Sequence, residues 1–265
     1  MSAIDPGTSR ILARVDGAVG WLTFNNPERR NAVSVDMWEA IPRVLQAFQA
    51  DPAVRVVVLT GAGDKAFVAG ADISQFEKER SSAEGVQRYE EIGDAAVAAI
   101  LDCDKPVIAM IRGYCIGGGL NIANACDLRI ASDDARFAIP AGKMGLGYRA
   151  PAMKMLVDAV GPAYAREIML TARQFTAAEG KHMGLLHHVV PVQELEAFTK
   201  KFCHDIAANA PLTLKAAKRI IREVSRVDYD AAACKALVKA CMDSEDYKEG
   251  RRAFMEKRKP VFNGR

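Results

Sequence analysis

Four histidines are all that the 265 residues contain, and His182, His187, His188 and His204 fall in the C-terminal third. His187 and His188 are adjacent, so they cannot share one helical face as a pair of metal ligands, and a metal site is not expected. No serine stands in a glycine-flanked turn, which removes the usual nucleophile elbow. The chain carries neither GxxxxGK[ST] nor GxGxxG, so phosphate-loop and dinucleotide chemistry lack their fingerprints. Six cysteines show no CxxC spacing, and the N-terminus has neither a secretory leader nor a basic amphipathic transit pattern, so free thiols and a cytoplasmic location are expected. A Cys/His pair using Cys115 or Cys126 stays open beside the reading of both as buried thiols.

Long apolar runs are missing too. None approaches the roughly 18 residues that would span a bilayer, so no membrane partner is expected. Charge of one sign is not in excess: 36 basic against 33 acidic residues give a net charge of +3. That balance implies neither a nucleic-acid footprint nor a membrane surface. Basic residues do crowd the end, at Arg251, Arg252, Lys257, Arg258, Lys259 and Arg265, either as a solvated face or as ligand contacts.

What is present is the composition of a globular enzyme, half hydrophobic and about a quarter charged. The length suits one large domain, or one domain with an appendage. Ile11 to Val15, Asp16-Gly17 and Ala18 to Phe24 read as a hairpin. Apolar positions from Met37 to Phe48 recur at helical spacing, with Pro42 expected to kink that helix or delay its start. Val54 to Thr60 is a run rich in β-branched residues ending at Gly61, the pattern of a strand covered on both faces in a parallel sheet. An amphipathic helix spans Val86 to Ile100, and Pro106 opens a second buried strand to Arg112. Thr176 and Glu179 form a capping-box signal, and helices are expected over 212–225, 229–242 and 245–258. No internal repeat stands out.

Two glycine loops are the chemical candidates. Lys65 to Ile73 follows the Val54 strand, and Gly117-Gly118-Gly119 joins the Pro106 strand to a helix through Asn121. Small residues let a ligand approach the backbone, and a strand, glycine loop and helix in succession aim amides at it. A tight turn for close packing explains a glycine triplet equally well.

Several blocks in order carry a family resemblance: Asn26 to Ala32, Ala66 to Ile73, Lys105 to Ala109, Gly113 to Gly119, Cys126 to Ala131, Met183-Gly184-Leu185, and Glu249 to Phe254 with Glu256 to Arg258. Through them the chain resembles the crotonase family, also called the enoyl-CoA hydratase/isomerase superfamily, over nearly its whole length. The resemblance implies an α/β fold, a crotonase-type spiral core of ββα units over 1–200 with the oxyanion hole and CoA site. A C-terminal helical segment over 201–265 would then serve trimerisation or as a lid, in a homotrimer or dimer of trimers. It implies an acyl-CoA substrate, no cofactor beyond that substrate's coenzyme A moiety, and a lyase of fatty acid metabolism. Backbone N–H groups of Ala71 and Gly118 would form the oxyanion hole, which favours an enolate over the neutral thioester. Arg30, Ala69, Asp72 and Ile73 would line the CoA moiety, with Phe254 and Lys257 reaching a neighbouring subunit's nucleotide. Asp72 reads alternatively as a helix N-cap, and Asp127 as structural.

The chain departs from the family where its hydratases carry two glutamates. Asn121 and Ala141 stand at those positions. Asn can orient a water but cannot take its proton, and Ala can do neither. Hydration would thus lose acid/base assistance of about 10² to 10⁴-fold. The segment Met144 to Pro151 resembles that of methylmalonyl-CoA decarboxylase, which carries an active-site tyrosine where Tyr148 stands, although that enzyme's first-loop histidine is absent at Ala71. Decarboxylation of a malonyl-type thioester needs no base, only the oxyanion hole and a proton source. Tyr148 is the candidate acid, or else a rim tyrosine held by its hydroxyl, and Arg149 the candidate holder of a substrate carboxylate. The competing class is a noncatalytic acyl-CoA binder. Clp-type serine proteases share the broad fold, but the nucleophile they need is missing here.

Overall fold

The computed structural model describes residues 4–72 and 82–265. Strands β1 (Ile11–Asp16) and β2 (Val19–Phe24) form the expected antiparallel hairpin. Helix α1 (Val35–Ala50) runs straight through Pro42, which neither delays nor ends it. The proline lacks one helical N–H, but the stripe Met37, Trp38, Ile41, Val44, Leu45 and Phe48 is buried, and that burial outweighs one missing bond.

Beyond α1, a unit of two strands and a helix recurs. It comprises β3 (Val56–Gly61), β4 (Ala66–Val68) and α2 (Ala83–Asp102), then β5 (Val107–Ile111), β6 (Tyr114–Ile116) and α3 (Gly118–Ala125). A third unit is β7 (Leu128–Ser132), β8 (Arg136–Ala138) and α4 (Ala150–Thr171), the last kinked at Gly161. The first strand of each unit enters one sheet, ordered β1-β2-β3-β5-β7 and closed by a strand at His188–Val190 (β10), and the second enters another, ordered β4-β6-β8 and closed by a strand at Phe175–Thr176 (β9). Strands β9 (Phe175–Thr176) and β10 (His188–Val190) and the short helix α5 (Ala177–His182), opened by the predicted Thr176 and Glu179 capping box, complete the two sheets. The repeat that no residue pattern revealed is therefore a repeat of topology.

The larger sheet is covered on both sides, as a parallel sheet requires. Val57, Leu59, Val107, Ala109, Ile111 and Ala131 face the main core, while Val56, Val58, Ile108 and Ile130 face α6 (Leu195–Ala207) through Leu195 and Cys203. Helices α7 (Pro211–Val224), α8 (Ala231–Met242) and α9 (Glu245–Met255) follow, and no strand comes after Val190 among the described residues. Asp127 ties this helical segment to the sheet: its carboxylate accepts the Val107 N–H at 2.7 Å and pairs with Lys218 of α7 at 2.8 Å. Among the described residues no helix is long and apolar enough to cross a membrane.

Candidate active site

Parallel pairing of β4 with β6 brings the two glycine loops together. Ala66 pairs with Tyr114 and Val68 with Cys115, so both strands end at the same edge and their loops leave side by side. The first loop is clamped. Val33 donates to the Gly70 carbonyl at 2.9 Å and accepts from the Asp72 N–H at 2.9 Å, so the intervening Ala71 turns its own N–H away from Val33. The buried Asn31 side chain fixes the approach, donating to the carbonyls of Ala62 and Ala66 and accepting from the Asn26 N–H.

On the second loop Gly117 has φ +53° and ψ −112°, a conformation L residues avoid, and it reverses the chain into α3. Gly118 is the first residue of that helix, where an N–H has no partner one turn back. Neither the Ala71 nor the Gly118 N–H meets an acceptor among the described residues. They are close: a Cβ built on Gly118 would lie 3.7 Å from the Ala71 nitrogen. One on Gly119 would fall 2.1 Å from the Val68 carbonyl oxygen, so α3 packs on β4 only because no side chain stands there.

The two loops form one wall of a cavity of about 490 Å³, lined also by Ala69, Ile116, Ala141, Met144, Leu146 and Tyr148. The lining is mostly apolar, which strengthens any hydrogen bond made inside. A side chamber of about 180 Å³ adjoins it, bounded by Ala71, Gly118, Asn121 and Tyr148 together with Trp38, Glu90, Asp94 and Arg149. Ala71, Gly118, Asn121, Tyr148 and Arg149 therefore converge, and Ala141 presents only a methyl group to the larger cavity.

Tyr148 has no hydrogen-bond partner for its hydroxyl among the described residues, and burial, aided by Cys115, pushes its pKa up to about 12. It stays protonated and can donate. The Asn121 Oδ1 is shielded from solvent and has no partner. Arg149 is already engaged, its guanidinium held by both oxygens of Asp94, with Glu90 3.7 Å from Nη1. Cys115 and Cys126 are buried, and desolvation raises both thiols, to about 12 for Cys126, so neither is poised as a thiolate.

The expected coenzyme positions are distributed more widely. Ala69 and Asp72 line the main cavity, where the buried Asp72 carboxylate pairs with Arg29 at 2.9 Å. Ile73 and the residues that would decide whether Asp72 caps a helix lie outside the described residues. Arg30 stacks over Tyr114 and borders a separate polar cavity of about 430 Å³ with Glu28, Asp64 and Lys65. Phe254, 83% exposed, and Lys257 lie at the end of α9 and line neither the cavity nor its side chamber.

Glu90 and Asp94 were not singled out from the sequence. A signal existed: two carboxylates four residues apart on one helix repel each other unless a cation docks between them, and Arg149 does so from 55 residues away. In chemical terms the arrangement offers two adjacent amide donors and a protonated phenol at one mostly apolar cavity, with a buried, unpartnered amide oxygen beside its side chamber.

The family model described as enoyl-CoA hydratase/isomerase matches residues 14–265. The chain is 35% identical over 253 residues to the short-chain-enoyl-CoA hydratase of Clostridium acetobutylicum, covering 95% of this chain and 96% of that one. It is 32% identical to the carnitinyl-CoA dehydratase of Salmonella typhi, with 94% and 97% covered. Among solved structures it resembles an enoyl-CoA hydratase/carnithine racemase from Magnetospirillum magneticum, with a TM-score of 0.94, 34% identity and 97% of each chain covered. A family protein from Hyphomonas neptunium gives a TM-score of 0.93 at 37% identity, over 97% and 98%.

Proposed function

The chain belongs to the enoyl-CoA hydratase/isomerase family, and from that premise we propose that it is an acyl-CoA lyase that gathers a thioester enolate between the amides of Ala71 and Gly118. The observation that carries this reading is the pair of adjacent N–H groups without acceptors at the wall of one apolar cavity. Such donors hold the developing O⁻ more strongly than the neutral carbonyl, and losing one typically costs about 3 to 4 kcal/mol of transition-state stabilisation. Tyr148, protonated and unpartnered, is the group that returns a proton to the α-carbon.

Coenzyme A would run out past Ala69 and Asp72 toward Arg30. Phe254 and Lys257, which do not line the cavity of their own chain, would serve the nucleotide end in a neighbouring subunit. Apolar side chains left outside fit an interface between copies, which the family resemblance makes a trimer: Val227, Leu170, Phe254 and Met255 are each at least 80% exposed. A stable monomer in sedimentation at micromolar concentration contradicts that assembly. Residues 1–200 would then form the catalytic core and 201–265 the assembly and lid segment.

Decarboxylation of a malonyl-type thioester is the second reading, favoured by a proton donor with no base required. The engagement of Arg149 by Asp94 weakens its role as holder of a substrate carboxylate. The deciding experiment is incubation with crotonyl-CoA, a 3-enoyl-CoA, methylmalonyl-CoA and malonyl-CoA, with products resolved by mass. Conversion of at least one is expected. Binding of all four without conversion of any would leave a noncatalytic acyl-CoA binder.

A further inference from the structure

The geometry points to Glu90 as the proton acceptor in a hydration and dehydration reaction, the role that Asn121 and Ala141 lack the chemistry to fill. This rests on the thioester-enolate reading above. Glu90 reaches the site from α2, remote in sequence from both positions where the family places its glutamates, and it lines the same chamber as Ala71, Gly118, Asn121 and Tyr148.

Arg149 keeps the carboxylate in place without consuming it. Asp94 takes the guanidinium through two N–H groups, while Glu90 Oε2 stands 3.7 Å from Nη1, beyond hydrogen-bond range. Both Glu90 oxygens therefore keep lone pairs for another donor. Across the chamber the Asn121 Oδ1 is sealed from solvent and lacks a partner, so the acceptor open to a water in the chamber is the Glu90 carboxylate. A water there can donate to Glu90, and with a share of about 30 Å³ of liquid volume it fits beside a short acyl chain in about 180 Å³.

The balanced step follows. The water oxygen bonds to the β-carbon of a 2-enoyl thioester as one of its O–H bonds breaks and that proton passes to Glu90. The π pair moves to the thioester oxygen, held at Ala71 and Gly118. The enolate then takes the Tyr148 phenolic proton at its α-carbon, and the proton on Glu90 restores Tyr148 through solvent.

The test compares crotonyl-CoA hydration by the wild type, Glu90→Gln, Glu90→Asp, Glu90→Ala and Glu91→Gln. Glu91 lies on the same helix, accepts from Gln87 and does not line the chamber. Glu90→Gln is expected to lower kcat by about 10² to 10⁴-fold with KM nearly unchanged. Glu90→Asp should fall between, and Glu91→Gln should match the wild type. Formate should restore part of the turnover of Glu90→Ala, which a merely structural role would not allow. Near-wild-type turnover in Glu90→Gln overturns the proposal, as does a wild type that hydrates no 2-enoyl-CoA. If that wild type still lowers the carbonyl stretch of a bound thioester, only the role of Glu90 fails. If it does not, the enolate reading fails with it.

Discussion

Gly119→Ala probes how tightly the two loops must meet. The new Cβ would lie 2.1 Å from the Val68 carbonyl oxygen and 2.8 Å from Val68 Cβ, whereas real Cβ contacts essentially never fall below 3.0 Å. Strand β4 and helix α3 must then separate by about 1 Å, since backbone on both sides leaves no flexible side chain to yield. Gly118 is the preceding residue, so its N–H moves relative to that of Ala71 by a comparable amount. Misplacement on that scale costs about 10²-fold in rate, and overpacking of this kind costs about 1 to 3 kcal/mol in stability. The assay pairs kcat/KM on the substrate found in the product panel with urea unfolding. Gly118→Ala is the contrast, because its Cβ meets nothing closer than 3.7 Å. It should keep its stability while its methyl group crowds the donor pair and weakens thioester binding. A folded Gly119→Ala within about threefold of wild-type kcat/KM would refute the reasoning that register between the loops governs catalysis.

Tyr148→Phe removes the proposed acid and leaves the cavity shape, so kcat should fall by about 10² or more while acyl-CoA affinity, followed by titration calorimetry, is preserved. Lys218→Met breaks the pair with Asp127, whose carboxylate keeps the Val107 N–H; a loss of about 1 to 3 kcal/mol in urea unfolding is expected, given partial exposure. His187 accepts the Arg129 N–H at Nδ1, and burial, with Arg129 nearby, lowers its pKa from 6.5 to about 4. The unfolded chain then binds the extra proton between about pH 4 and 6.5, so this stability is complete above pH 6.5 and is lost as pH falls toward 4. Discounted for partial burial, the change should be about 1 to 2 kcal/mol, and His187→Gln should flatten it in unfolding measured at pH 4.5 and 7.

How much of this was legible in the sequence depended on element length and contact range. Strand β3 and α1 announce themselves through long apolar patterns, and the Thr176 capping box through local chemistry. Strands β4, β6 and β8 have three residues each, too few for any periodicity, so the ββα repeat was invisible without the family resemblance. The same brevity hid why the glycine loops meet, since that follows from β4 pairing with β6. The loops were readable because small residues stand out, and Tyr148 through the resemblance of its segment to that of a decarboxylase of the family. The chamber behind them was not, because Glu90 and Asp94 meet Arg149 only through tertiary packing of α2 against the start of α4.

The most direct test of the central claim is the infrared carbonyl stretch of a ¹³C-labelled, non-reacting acyl-CoA thioester bound to the protein. Two N–H donors from Ala71 and Gly118 withdraw electrons from the C=O bond, so the band should move to lower frequency on binding, and by less in Gly119→Ala. A saturated complex whose band stays at its solution frequency would contradict a thioester oxygen held between those amides.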